Sequence, residues 1–132
     1  MGLFDKIFKS EDDIAKEEIK EVPWHPLTEM DQLDNIEEES TGKTVVIFKH
    51  STRCGISRMV LSNFEREFGE KETSDLKLYF LDLLANRDIS GEVANRFNVR
   101  HESPQMLIIK EKTVVHHSSH HSVKASTLKE HI

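Results

Sequence analysis

Hydrophobic residues along this chain follow two periodicities that replace each other from segment to segment. Runs of apolar residues predict four buried strands, over residues 44–50, 76–84, 104–109 and 113–116. Apolar residues spaced by three or four predict four helices, over residues 28–40, 57–68, 89–97 and 122–131. Strands that alternate with helices and are followed by a hairpin and a final helix predict an α/β fold, with a mixed central sheet flanked by helices on both faces.

Two of these helices have a defined predicted face. Thr28 is expected to cap the first helix, whose predicted buried residues are Met30, Leu33 and Ile36. The predicted buried face of the second helix consists of Met59, Val60, Phe64 and Phe68. Before the first helix, two prolines exclude helical structure, and Trp24 between them has a large apolar surface to bury. The folded domain is therefore predicted to span residues 23–132.

Residues 1–22 differ in composition from the rest of the chain. Four apolar residues near the start, Leu3, Phe4, Ile7 and Phe8, are followed by a stretch that is mostly Glu, Asp and Lys. Such a segment is either a marginal amphipathic helix that docks on the domain or on a partner, or a solvated arm. The density of charge favours the second interpretation, a flexible charged arm.

Composition narrows the function classes. With 132 residues and a formal net charge of −6, the chain has room for one ordinary domain and lacks the basic surface of a general nucleic-acid binder. It has no apolar run long enough to span a membrane. A myristoylation signal has Gly at position 2 and Ser or Thr at position 6, and this chain has Gly2 but Lys6. The first residues also lack the apolar core of a secretory signal. We therefore expect a cytoplasmic protein with no membrane and no nucleic-acid partner.

The single cysteine of the chain, Cys54, lies between a predicted strand and a predicted helix. Backbone N–H groups at a helix N-terminus have no partner within the helix, and the positive end of the helix dipole lies there. A thiolate at this place is stabilised relative to a thiol, which is how proteins make a cysteine reactive. The alternative is a small buried hydrophobic residue. The order strand, turn, cysteine, helix favours the reactive thiol.

From residue 24 to residue 132, this arrangement resembles the thioredoxin fold. The redox motif of thioredoxins has two cysteines, whereas here it is Cys54-Gly55-Ile56-Ser57, so a hydroxyl replaces the resolving thiol and no internal disulfide can form. The resemblance implies that Pro104 is the cis-proline that faces the cysteine and pairs with the substrate backbone, with Ser103 as its neighbour.

Three segments together resemble the monothiol bacilliredoxins, the YtxJ-like thioredoxin-fold family: residues 48–57, 101–104 and 119–122. The resemblance implies a thiol–disulfide oxidoreductase that removes bacillithiol from oxidised cytosolic proteins, with bacillithiol as cosubstrate and no bound cofactor. Gly55 stands where this family is expected to have proline. That difference should change the rigidity of the turn without removing the nucleophile.

The predicted site follows from this chemistry. Cys54 is the nucleophile, and Ser57 is expected to donate a hydrogen bond to its thiolate or to cap the helix. Bacillithiol carries carboxylates, which cations near the cysteine would bind. The predicted substrate-binding residues are Arg53, Gly55, His101, Ser103 and Pro104. Three further cations lie close in sequence, Lys49, Arg58 and Arg100, and for Lys49 and Arg58 an ordinary surface charge is the expected role.

Two other functions fit parts of the sequence. The motif at Cys54 differs by one residue from the Cys-Gly-Phe-Ser of monothiol glutaredoxins, which bind a [2Fe–2S] cluster between two subunits. The segment after Pro104 lacks the Gly-Gly and Asp with which that family holds glutathione. Histidines at 116, 117, 120 and 121 suggest a metal binder. Because side chains alternate along a strand, at most two or three of these imidazoles could converge, and we expect no metal site.

Overall fold

A computed structural model of the chain describes residues 22–68 and 75–132. Its elements are β1 (Trp24–Pro26), α1 (Gln32–Glu39), β2 (Thr44–His50), α2 (Gly55–Glu67), β3 (Leu76–Asp82), α3 (Arg87–Arg96), β4 (Gln105–Lys110), β5 (Thr113–Ser119) and two 3₁₀ helices (His120–Ser122 and Ala125–His131). Apart from Val22, the arm predicted over residues 1–22 lies outside the described residues. No helix of the described part is long and apolar enough to cross a lipid bilayer.

Five strands of the described chain form one mixed sheet in the order β1-β3-β2-β4-β5. β1 and β2 both run parallel to β3, whereas β4 is antiparallel to its neighbours β2 and β5. Parallel strands need a crossover, and α2 supplies it between β2 and β3. These observations confirm the predicted α/β fold with a mixed sheet flanked by helices.

The sheet separates two hydrophobic cores. Phe48 and Val46 of β2 belong to the core under α2 and the last 3₁₀ helix, together with Phe64 and Leu128. The next residues of the same strand, such as Ile47, point to the other face and join a core that contains residues of α1 and α3. Because both faces are covered, all seven residues of β2 are buried. This strand, which leads into the cysteine loop, is the most enclosed element of the sheet.

Antiparallel pairing of β2 with β4 decides where the site forms. Lys49, near the end of β2, lies opposite Gln105, the first residue of β4. The loop that leaves β2 and the loop that enters β4 therefore meet at the same edge of the sheet. The first carries Cys54 and the second carries Pro104.

The first helix begins later than predicted. α1 starts at Gln32 and not at Thr28, and Met30 is 38% exposed, whereas Leu33 and Ile36 are buried as expected. The cause is the side chain of Gln32, whose Oε1 accepts hydrogen bonds from the backbone N–H groups of Thr28 and Glu29, both at 2.8 Å. In a helix that began at Thr28 these N–H groups would have no partner within the helix, whereas the Gln32 side chain satisfies both when the helix begins at Gln32.

Three other predictions need correction. Met59 is 47% exposed and does not belong to the buried face of α2, which consists of Val60, Phe64 and, just after the helix, Phe68. The segment around Trp24, expected only to break a helix, forms the short edge strand β1, where proline is tolerated because one side of the strand has no partner. The closing helix is a 3₁₀ helix over Ala125–His131.

The predicted hairpin between β4 and β5 is present, and its turn is made of two residues. Glu111 and Lys112 both have positive φ, 50° and 65°, which side chains other than glycine rarely adopt. Ser40 at the end of α1 binds both of them. Its carbonyl oxygen accepts from the Glu111 N–H at 2.8 Å and its Oγ from the Lys112 N–H at 2.9 Å. These bonds hold a turn that its residue types alone would not favour.

Candidate functional site

Cys54 is the N-cap of α2, with extended backbone angles of φ −102° and ψ 120°. Its N–H donates to the Ser51 carbonyl at 3.2 Å, which closes the turn after β2, and its own carbonyl accepts the first bond of the helix, from the Arg58 N–H at 3.1 Å. The side chain is partly exposed. The thiol therefore lies at the positive end of the helix dipole, where solvent and a substrate can reach it.

Ser57 lies one turn into α2 and is fully buried. Its Oγ accepts a hydrogen bond from the Ser51 N–H at 3.0 Å and contacts Nδ1 of His50 at 2.8 Å. Neither predicted hydrogen bond, to the Cys54 thiolate or as a helix cap, is found among the described residues. Ser57 instead joins the start of α2 to the end of β2 and so fixes the shape of the cysteine loop.

His50 completes this buried connection. Burial lowers the pKa of its imidazole, because the charged form would lose its hydration, although Asp82 and Glu65 partly oppose that effect. The ring is therefore neutral at pH 7. Nδ1 of a neutral imidazole can accept a hydrogen bond from the Ser57 hydroxyl, while Ser57 Oγ accepts a hydrogen bond from the Ser51 N–H. The Ser57 hydroxyl thus donates one hydrogen bond and accepts another.

The second loop of the site enters β4 through a cis peptide bond between Ser103 and Pro104. Pro104 is buried, and its carbonyl oxygen accepts from the His120 N–H at 2.9 Å. Glu102 accepts from the Ser119 hydroxyl at 2.9 Å. Two contacts with the end of β5 thus hold this loop. Ser103 Oγ is buried and has no hydrogen-bond partner in the described part of the chain.

The basic residues near the cysteine divide into two groups. Arg53, Arg58 and Arg100 are exposed. Lys49, expected to be a surface charge, is completely buried. Its Nζ donates to the Ser90 carbonyl at 3.2 Å and lies 3.1 Å from Nδ1 of His101. Burial lowers the pKa of the Lys49 amine to about 8.

The surroundings of Lys49 were not visible in the sequence. One feature of the sequence could have indicated that Lys49 is buried. Lys49 lies in a predicted strand of seven residues, and when both faces of a sheet are covered, every side chain of such a strand is buried, including a lysine. Its contact with His101 places one predicted substrate-binding residue at the end of the strand that leads to Cys54. His101 itself is exposed.

Gly55 is the first residue of α2 and is exposed. A Cβ atom built at this position would have no neighbour within 4 Å. The first position of a helix also suits proline, because its missing N–H has no partner there in any case. The backbone at Gly55 therefore has room for a Cβ atom, and its place in the helix is one that proline can occupy.

The histidines between residues 116 and 121 do not form a cluster. Side chains alternate along β5, so His116 is half-buried and packs against His131, with ring centroids 5.4 Å apart, whereas His117 is exposed. Across residues 22–68 and 75–132, no three or more His, Cys, Asp or Glu side chains are placed to hold a metal ion.

A family model matches the part of the chain that carries the accessible N-cap cysteine and the cis-proline loop. The family model described as monothiol bacilliredoxin BrxC matches residues 25–128, which include both loops. This chain belongs to that family. The predicted resemblance is thereby confirmed.

Solved structures similar to this family member support the same fold. One is a protein provisionally assigned as an oxidoreductase with a thioredoxin fold; it shares 31% identity at a TM-score of 0.68, covering 80% of this chain and 89% of that one. Thioredoxin of Malassezia sympodialis (20% identity, TM-score 0.64, 85% and 92% covered) and of Fasciola hepatica (21%, 0.60, 82% and 95%) share the fold. Family and fold together make this protein a thiol–disulfide oxidoreductase with a single cysteine.

Proposed function

We propose that this protein removes bacillithiol from mixed disulfides of cytoplasmic proteins by monothiol exchange at Cys54. The observation that carries the proposal is the contrast within one helical turn. Cys54 is accessible, whereas the position of a resolving cysteine is occupied by Ser57, whose hydroxyl is buried and bonded to His50 and Ser51. A protein built this way can accept a thiol adduct and cannot discharge it internally.

The exchange balances without an external oxidant. The Cys54 thiolate attacks the bacillithiol sulfur of the mixed disulfide, a bond forms between these two sulfurs, and the bond to the client sulfur breaks. The client leaves as its thiolate, and the protein carries bacillithiol on Cys54. The thiolate of a second low-molecular-weight thiol then attacks the bacillithiol sulfur, so that a low-molecular-weight disulfide forms, the bond to Cys54 breaks and Cys54 leaves as a thiolate. The positive end of α2 stabilises the attacking thiolate in the first step and the leaving thiolate in the second.

The surface around Cys54 suits protein clients. Ile56 and Met59, on the outer side of the first turns of α2, are 46% and 47% exposed. Apolar side chains beside a nucleophile supply area that a client can cover. Ser103, at the cis bond before Pro104, offers its backbone to an extended client segment, and Arg53, the exposed residue before Cys54 in the chain, supplies a cation for the carboxylates of bacillithiol.

The test uses a client peptide that carries bacillithiol on one cysteine. Mixed with the reduced protein, it should lose the adduct, and intact mass spectrometry should find one bacillithiol on Cys54 and no further change. The variant Cys54→Ser should release none, because no other residue of the chain is a thiol. Thr52→Ser, an exposed hydroxyl in the same loop, serves as the matched control and should act like the wild type.

A glutathione-modified peptide and anaerobic reconstitution with iron and sulfide complete the experiment. Wild-type protein that ignores the bacillithiol adduct but accepts glutathione, or that develops the absorption of a [2Fe–2S] cluster, would contradict the proposal and favour the glutaredoxin alternative.

A further inference from the structure

Two buried polar residues of the sheet, Lys49 and Gln105, hold the segment that leads into the proline loop, which contains the exposed His101. Lys49 and Gln105 face each other across β2 and β4, and both are fully buried. Gln105 Nε2 donates to the Arg100 carbonyl at 2.8 Å, and Lys49 Nζ lies 3.1 Å from Nδ1 of His101. Two adjacent residues before the proline loop are thus each held by one side chain from the sheet.

A buried amine needs partners, and those of Lys49 in the described chain are both neutral: the Ser90 carbonyl and the His101 imidazole. An ammonium group has three donors and no acceptor. At pH 7 the amine is mainly protonated, since burial lowers its pKa only to about 8. The contact with His101 must therefore run from Lys49 Nζ–H to Nδ1.

The tautomer of His101 follows from that direction. Burial, together with the Lys49 charge, lowers the pKa of His101, so the ring is neutral at pH 7 and carries one proton. With Nδ1 occupied as an acceptor, the proton is on Nε2. His101 is an exposed residue. The hydrogen-bond partners of its ring among the described residues, Lys49 Nζ at 3.1 Å and Ser90 Oγ at 3.4 Å, both lie at Nδ1, so the Nε2–H donor is left for a ligand.

We propose that Lys49 is a positioning residue that holds His101 as a fixed Nε2–H donor for a carboxylate of the low-molecular-weight thiol. The proposal rests on the monothiol exchange proposed above and adds how the thiol is recognised. Bacillithiol and glutathione both carry carboxylates, and the experiment separates these two sources.

The first measurement needs no variant of Lys49. In protein labelled with ¹⁵N in its histidines, two-bond ¹H–¹⁵N correlations at pH 7 show which ring nitrogen carries the proton, and the spectrum of His101→Gln assigns the resonances. We expect His101 to be in the Nε2–H form in the wild type and to become a mixture of tautomers in Lys49→Met. A wild-type ring with its proton on Nδ1, or one that is doubly protonated, would overturn the proposal.

The second measurement compares two mixed disulfides of one client peptide, one with bacillithiol and one with 2-mercaptoethanol, which has no carboxylate. The ratio of their kcat/KM values reports recognition of the carboxylate. Lys49→Met and His101→Ala should each lower this ratio about tenfold, the size expected for one hydrogen bond to a charged group. The double variant should lose no more than either single variant, because both changes remove the same interaction. Lys43→Met, an exposed lysine just before β2, should leave the ratio unchanged.

Failure of the proposal and failure of the proposed function look different. If bacillithiol is exchanged and the ratio of kcat/KM values is unchanged in both variants, the role proposed for Lys49 and His101 is wrong, and the proposed function is retained. If only glutathione is exchanged, bacillithiol specificity is wrong, and the same ratio with glutathione decides the role of the pair. If neither thiol is exchanged, both proposals are overturned.

Discussion

The burial of Lys49 lowers the stability of the folded protein at a position close to the proposed site. A buried ammonium loses its hydration, and in this protein its two described partners are neutral. Since each pKa unit corresponds to about 1.4 kcal/mol, a pKa that falls from 10.5 to about 8 corresponds to about 3 kcal/mol of unfavourable burial. A buried amine with a shifted pKa, on the strand that leads to Cys54, is a candidate functional residue.

This cost predicts a dependence of stability on pH. Below pH 8 the amine is protonated in both the folded and the unfolded chain, and the full penalty is present. As the pH rises from 8 to 10.5, the folded protein loses the proton first, so the unfolded chain binds more protons and the stability of the wild type rises. Relative to Lys49→Met, the wild type should therefore gain about 3 kcal/mol of unfolding free energy between pH 7 and pH 10.5.

Urea unfolding of both proteins across that range measures the difference, and other titrating groups cancel in the comparison. Lys43→Met is the control, because it removes an exposed charge just before the same strand and should show no such trend. A difference between wild type and Lys49→Met that stays constant from pH 7 to pH 10.5 would mean that the Lys49 amine keeps its ordinary affinity for protons.

Among the elements, the first turn of α2 decides whether the protein works with one thiol or two. Ser57 lies three residues after Cys54, and side chains three apart in a helix lie on the same face. In Ser57→Cys the second sulfur would replace a hydroxyl that is now bonded to Ser51 and His50. We expect this variant to take bacillithiol on Cys54 and then discharge it by forming an internal disulfide.

Intact mass after mixing with oxidised bacillithiol distinguishes the two behaviours. The wild type should keep one adduct, and Ser57→Cys should return to the mass of the unmodified chain without its two thiol protons. Ser57→Ala removes the same hydrogen bonds and supplies no sulfur, so it should keep the adduct. An adduct that persists on Ser57→Cys would show that the two sulfurs do not meet at this turn.

The elements also show what the sequence could and could not predict. The apolar run of β2, the hairpin of β4 and β5, and the place of Cys54 before α2 follow from local patterns, and all three are present. The start of α1 was wrong because it depends on one side chain, Gln32, that turns back onto the preceding residues. β1 was missed because Pro26 within it and Pro23 just before it were interpreted as a break, although an edge strand tolerates proline.

The contacts of Lys49 below the site could not be predicted, for another reason. Lys49, Ser90 and His101 come from a strand, a helix and a loop, and only tertiary packing brings them within 3.2 Å. The sequence identified His101 and Pro104 through resemblance to a family. It contained no local signal that a lysine of β2 would hold the ring of His101.

At the scale of the whole molecule, the packed domain begins earlier than its first helix. Val22 is buried in the core under α2. Trp24 stacks on Phe64, with ring centroids 5.6 Å apart, and its indole N–H donates to Glu65 at 2.8 Å. The start of the described chain is thus attached to the helix that carries Cys54.

This attachment predicts where the chain can be shortened. Residues 1–21 are highly charged and contain few apolar side chains, so burial of those side chains would not offset the entropy lost when the backbone is ordered. A protein that starts at Val22 should therefore unfold within about 0.5 kcal/mol of the full chain and exchange bacillithiol at the same rate. One that starts at Leu27 lacks Val22, Trp24 and β1, and should lose at least about 3 kcal/mol, as for removal of a large core side chain. Urea unfolding of the three proteins measures both steps.

A loss of more than about 2 kcal/mol in the first truncation would mean that Leu3, Phe4, Ile7 and Phe8 pack on the domain and that the arm is part of its core.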